Sequence, residues 1–187
     1  MGRNMQILFA GRARHYLNKA AVLLGIGITL FAAPMQAALA EAPIKIAVLS
    51  ATLQNDHAQW VPTTDAERNR LMKIEDIFKS SLEASGNYES VPVSASIQEK
   101  INKDQKMGEC GGCELTYGKE VGADQVAWIE VQKVSELILN INVYMKDVQS
   151  GNPVFTKSVD LRGNNDEAWN HSMKFLIKRY LLAADTQ

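Results

Sequence analysis

Cysteine and histidine are scarce in this 187-residue chain, and the shortage bears first on metal chemistry. Two cysteines and three histidines could hold a zinc finger or a metalloprotease centre only at particular spacings. His57 and His171, the two histidines beyond the amino-terminal segment, stand at neither spacing. No Gly-x-Gly-x-x-Gly, phosphate loop or Gly-x-Ser-x-Gly elbow occurs, so dinucleotide, triphosphate and serine-hydrolase chemistry lack their recognisable loops. The formal charge is −1, without the basic stripe that displaces counterions from nucleic-acid phosphates. Glycine (12) and proline (5) are modest and no repeat is present, which excludes collagenous and disordered classes. No apolar run reaches the roughly 20 residues that a membrane helix needs. What is left is an ordinary globular composition, 46% hydrophobic and 22% charged.

Charge is distributed unevenly. Residues 1–40 carry Arg3, Arg12, Arg14 and Lys19 and no acidic residue. An apolar stretch from Ala20 to Ala33 follows, then Pro34 and a small-residue run ending Ala38-Leu39-Ala40. A basic head, a short apolar middle and an Ala-x-Ala tail are the parts of a secretory signal peptide, so residues 1–40 are expected to be removed between Ala40 and Glu41. No cysteine adjoins that point, so no lipid is expected on an N-terminal cysteine. The mature chain, 41–187, keeps 16 basic and 21 acidic residues, a formal charge of −5. The expectation is a periplasmic, soluble chain forming one domain, without a membrane span, a cofactor or a bound metal, monomeric or weakly oligomeric.

Periodicity orders that domain. Ile44 to Leu49 reads as a buried strand, and Ser50 to Thr63 as a polar loop containing Asp56, His57 and Trp60. Thr64-Asp65-Ala66-Glu67 is a capping box opening a helix whose apolar face is Leu71, Ile74, Phe78 and Leu82. Tyr88 to Val93 is a second strand and Ser96 to Lys106 a short helix or turn. After Cys110-Gly111-Gly112-Cys113, Glu114 to Val121 is helical and Gly122 stops it. Asp124 to Val134, Leu137 to Val148 and Val154 to Leu161 are three successive strands, joined too tightly for crossovers and therefore a meander. In the middle strand Leu137, Leu139, Ile141, Val143 and Met145 alternate with Ile138, Asn140, Asn142, Tyr144 and Lys146. Asn164 to Glu167 begin a last helix with Trp169, Met173, Leu176 and Tyr180 on one stripe. The order β-α-β-α-β-β-β-α implies an α+β fold with helices packed on a mixed sheet.

Some of these segments resemble known families. Gly122-Ala123-Asp124, with a meander turning through Asp147-Val148-Gln149-Ser150-Gly151, is similar to the amino-terminal domain of TolB and to the periplasmic part of CsgG-type secretion proteins. No β-propeller sequence follows, so no TolB-like role is implied. Cys110-Gly111-Gly112-Cys113-Glu114-Leu115, Asn140-Ile141-Asn142-Val143 and Arg162-Gly163-Asn164-Asn165-Asp166-Glu167-Ala168-Trp169 resemble more closely an uncharacterised family of exported bacterial proteins, a domain of unknown function. That likeness spans roughly residues 43–182 and implies a TolB-like fold, an envelope location and no assigned activity.

Cys110 and Cys113 carry the most distinctive chemistry. Outside the cytoplasm a disulfide between them is the default, stiffening a helix entrance. Two other readings stay open: a thiol–disulfide oxidoreductase with Cys110 attacking and Cys113 resolving, and a small-ligand or metal carrier. Asp56, His57 and Trp60 on their polar loop form one candidate binding surface. Arg162 and Asn164, suited to anions at a helix start, form another. Asp65 and Asp166 fit helix starts better than catalysis. With no catalytic constellation, the sequence favours a non-catalytic accessory domain that contacts another envelope protein.

Overall fold

A computed structural model of the chain describes residues 42–103 and 106–183. The predicted signal peptide and its cleavage point at Ala40 and Glu41 lie outside the described residues. Five strands form one sheet in the order β2-β1-β3-β4-β5: β1 (Ile44–Asn55), β2 (Tyr88–Ser90), β3 (Gln125–Lys133), β4 (Leu139–Asp147) and β5 (Pro153–Leu161). β1 lies parallel to both β2 and β3, and β3, β4 and β5 form an antiparallel meander. Among the described residues four α-helices accompany them: α1 (Asp65–Ala84), α2 (Ala95–Lys103), α3 (Cys113–Val121) and α4 (Asp166–Leu176). The fold is α+β with a mixed sheet, as the element order predicts.

Strand alternation divides the core in two. One parity of the sheet, including Ile46, Ala127, Ile129, Val131, Ile141 and Val143, meets Ile74, Phe78 and Leu82 of α1 and Trp169, Met173 and Leu176 of α4. The other parity, including Ala47, Leu49, Val126 and Trp128, meets Ile97 and Ile101 of α2, Met107, and Tyr117 of α3. The capping box is present in full, with Thr64 and Glu67 bonded reciprocally, and Gly122 ends α3 at φ 70°, a conformation that favours glycine.

Gly118 of α3 faces the sheet at close range. A Cβ added there would lie 2.4 Å from Val126 Cγ1 and 2.7 Å from Val148 Cγ2. Gly118→Ala is therefore expected to cost about 1–3 kcal/mol through overpacking, although alanine is the better helix former. Urea unfolding checks this, and a stabilising or neutral alanine would contradict the packing argument.

Three expectations are corrected. β1 does not stop at Leu49 but continues to Asn55, because a register shift between Val48 and Ala51 lets Ala51–Asn55 pair on with Ile129–Lys133. The candidate loop thereby shrinks to residues 56–63. Leu137 lies beyond the start of β4 and is 78% exposed, since the turn before Leu139 breaks the alternation that places it inside. Tyr180 leaves the buried stripe of α4 because a π-helical turn, Ile177–Leu181, shifts the spacing and buries Ile177 and Leu181 instead.

Candidate functional site

Lys133, the last residue of β3, pairs in register with Asn55, the last residue of β1. Two loops therefore leave the sheet side by side. Residues 56–63 run to Thr64, the N-cap of α1, and residues 134–138 turn into β4. Each loop is bonded to itself. Asn55 Nδ2 donates to the Val61 carbonyl at 2.7 Å and Asn55 Oδ1 accepts from His57 N–H at 3.1 Å. The His57 carbonyl accepts from the N–H groups of Trp60 and Val61, both at 2.8 Å. Ser135 Oγ accepts from the N–H groups of Leu137 (3.2 Å) and Ile138 (3.1 Å), and Val134 N–H donates to the Ile138 carbonyl.

These loops, partly braced by their own hydrogen bonds, turn apolar side chains into solvent. Trp60 (77% exposed), Val61 (45%), Val134 (46%), Leu137 (78%) and Ile138 (62%) are five of the nine large apolar residues exposed among the described residues. Scattered singly they would need no explanation; these five stand on the two loops that leave the sheet from the paired residues Asn55 and Lys133.

Under the loops lies a buried polar network. Lys133 points to the face of Ala127, Ile129 and Val131, and is 3% exposed. Its Nζ donates to Glu67 Oε1 at 2.6 Å and also bonds the Glu136 carboxylate. Glu67, fully buried, accepts further bonds from Thr64 N–H (2.7 Å) and Asn164 Nδ2 (2.7 Å). Burial alone would raise the Glu67 pKa, but the bonds from Lys133, Thr64 and Asn164 outweigh it and lower it to about 2. Burial likewise opposes the Lys133 charge, and its bonds to Glu136 and Glu67 still push its pKa up. The network joins the start of α1, the end of β3, the 134–138 turn and the corner before α4, so it fixes the platform from which both loops rise.

The residues singled out from the sequence separate accordingly. Asp56, His57 and Trp60 lie together on the first loop, where Asp56 accepts a 3.3 Å bond from Gln54 Nε2. Asn164 is committed inward: Nδ2 bonds Glu67 and Glu136, and Oδ1 accepts from Arg70 and from Trp169 Nε1, both at 3.1 Å. Arg162 is exposed and lines a groove of about 770 Å³ between β5 and α4 with Asn165, Glu167 and His171. Cys110 and Cys113 are joined as a disulfide on the other face, packed against the second core. The sequence reading missed Val134, Leu137 and Ile138, together with Glu67, Lys133 and Glu136 beneath them. Lys133 gave a signal, a lysine on the buried parity of an apolar strand.

No helix among the described residues is long and apolar enough to cross a membrane. No curated protein matches the chain. Solved structures similar to it include the C-terminal domain of LpoB from Salmonella enterica (14% identity, 68% of this chain and 88% of that one, TM-score 0.46). PelC from Paraburkholderia phytofirmans is similar at 16% identity (73% and 86%, TM-score 0.48), and TolB from Acinetobacter baumannii at 13% (75% and 29%, TM-score 0.45). A family model matches residues 44–181, nearly all that the structure describes. The chain thus belongs to the DUF3280 family, described as "Protein of unknown function (DUF2380)".

Proposed function

We propose that this chain is an exported binding domain of the cell envelope that docks another envelope protein on the loops 56–63 and 134–138. The observation that carries this reading is the group of five apolar side chains held in solvent by loops whose own hydrogen bonds fix their shape. Apolar anchors on a preorganised support bind without a large ordering cost. The basic head, apolar middle and Ala-x-Ala tail of residues 1–40 support export of residues 41–187 as one domain into the periplasm.

The test uses affinity-tagged full-length protein expressed in its own host and cross-linked in the intact envelope. Trp60→Ser with Leu137→Ser is expected to reduce recovery of its cross-linked partner at least about tenfold, while unfolding free energy stays within about 0.5 kcal/mol because both side chains are solvent-exposed. Cys110→Ser with Cys113→Ser should leave recovery unchanged. Undiminished recovery in the loop variant would overturn the docking site. Loss of binding to protein-free lipid vesicles by that variant would replace the protein partner with a lipid surface.

A further inference from the structure

The disulfide has a neighbour that its oxidised state leaves unsatisfied. Glu114 is 1% exposed. Its Oε1 accepts from Lys146 Nζ at 2.7 Å. Its Oε2 lies 3.2 Å from Cys110 Sγ, and a sulfur in a disulfide has no proton to donate. A buried carboxylate oxygen without a donor is costly, and here the donor exists only when Cys110 is a thiol. The second cysteine stands differently. Cys113 is the first residue of α3, after Gly112 as N-cap, where the helix dipole favours a thiolate. Met107 Sδ is 3.9 Å from its sulfur, and no carboxylate bond to it is found among the described residues. The carboxylate lies near both sulfurs, within 4.8 Å, but the 3.2 Å contact is to Cys110, and the helix start is at Cys113. Both cysteines remain partly accessible.

We propose that Cys110–Cys113 is a thiol–disulfide exchange site for an external disulfide, with Cys113 as the nucleophile and Glu114 as the group that takes and returns the proton of Cys110. This assignment reverses the order that the sequence alone suggests for the pair, and it is independent of the docking loops. In the reduced form the Cys113 thiolate attacks one sulfur of the substrate disulfide. The other substrate sulfur leaves as a thiolate and takes a proton from water. The Cys110 proton passes to Glu114 Oε2, and the Cys110 sulfur then attacks Cys113 Sγ. That step re-forms the Cys110–Cys113 disulfide and expels the second substrate sulfur, which receives the proton from Glu114. Two electrons have moved, reducing one disulfide to two thiols and oxidising Cys110 and Cys113. An external dithiol returns the pair to its reduced form by the reverse exchange. Lys146 is a positioning residue that holds Glu114 against the sulfur.

Full-length protein carrying one cysteine provides the test. With Cys110→Ser, the remaining Cys113 should react with iodoacetamide at pH 7 at least about tenfold faster than Cys110 does in Cys113→Ser, because only the thiolate alkylates. Glutathione disulfide should form a mixed disulfide with the Cys110→Ser protein and far more slowly with Cys113→Ser, read by mass. Adding Glu114→Gln to Cys113→Ser should accelerate alkylation of Cys110, since the neighbouring negative charge is gone. In the two-cysteine protein, Glu114→Gln should make the disulfide about tenfold harder to reduce in a dithiothreitol redox buffer, as the charged acceptor for the Cys110 thiol is lost. Equal or reversed cysteine reactivity, or no glutathione adduct on Cys113, would overturn the proposal. These single-cysteine measurements retain Glu114, so they stand even if its substitution disturbs the fold.

Discussion

Lys133→Met is expected to destabilise the protein by about 3–5 kcal/mol, the largest effect of any single polar substitution, because it strands a buried charge. The Lys133 and Glu67 side chains are 4% and 1% exposed, with their charged atoms 2.6 Å apart. Removing the ammonium leaves the Glu67 carboxylate buried with only Thr64 and Asn164 to hold it, and takes from Glu136, in the 134–138 turn, its ion pair with Lys133. Adding Glu67→Gln should recover part of the loss, since a neutral amide costs less to bury than an unpaired carboxylate. Urea unfolding of both single variants and the double gives the coupling energy. A cost for Lys133→Met below about 1 kcal/mol would show that the pair is not an energetic anchor of this end of the sheet.

The same pair sets an acid limit. Folding lowers the Glu67 pKa from 4.5 to about 2, so the native state holds its proton less tightly than the unfolded chain. That stabilisation is complete above the unfolded value and is lost as pH falls from about 4.5 towards 2, at about 1.4 kcal/mol per unit of difference or roughly 3 kcal/mol in all. Unfolding free energies at pH 7 and pH 3 should differ by about 2 kcal/mol from this group, since pH 3 still lies above its folded value, and Glu67→Gln should flatten that slope. The raised Lys133 value acts at the opposite extreme: its contribution is present below 10.5 and is lost as pH rises beyond it.

Trp169→Ala should cost about 3–5 kcal/mol by opening a cavity, whereas Trp169→Phe should cost only about 1–2 kcal/mol. Trp169 is fully buried where α4 meets the sheet, and its Nε1 donates to Asn164 Oδ1. Phenylalanine keeps most of the packing volume, and Asn164 Oδ1 keeps its bond from Arg70. Calorimetric unfolding of both variants measures the difference. Equal losses would mean that the indole N–H, and not the ring volume, is what position 169 contributes.

Much of the fold was legible because its signals are local. The capping box from Thr64 to Glu67, the apolar spacing of Ile74, Phe78 and Leu82, and the alternation from Leu139 to Met145 each arise within a few residues of chain. The candidate site was legible only in part. Trp60 and its loop stood out by polarity and length, but nothing in the sequence says that Asn55 ends beside Lys133, which is what makes the 56–63 and 134–138 loops leave the sheet from neighbouring strand ends. Asn164 looked available for a ligand, and four hydrogen bonds to residues between 5 and 97 positions away use it up.

The sequence by itself determined the element order and the in-and-out alternation of β4, because periodicity and capping are properties of short segments. Only the tertiary structure decided which loops share an end, that Glu67 and Lys133 are buried partners 66 residues apart, and that Glu114 faces Cys110 while α3 starts at Cys113. Those facts depend on strand register and on which helix covers which face, and both are set by how the whole chain closes its two cores.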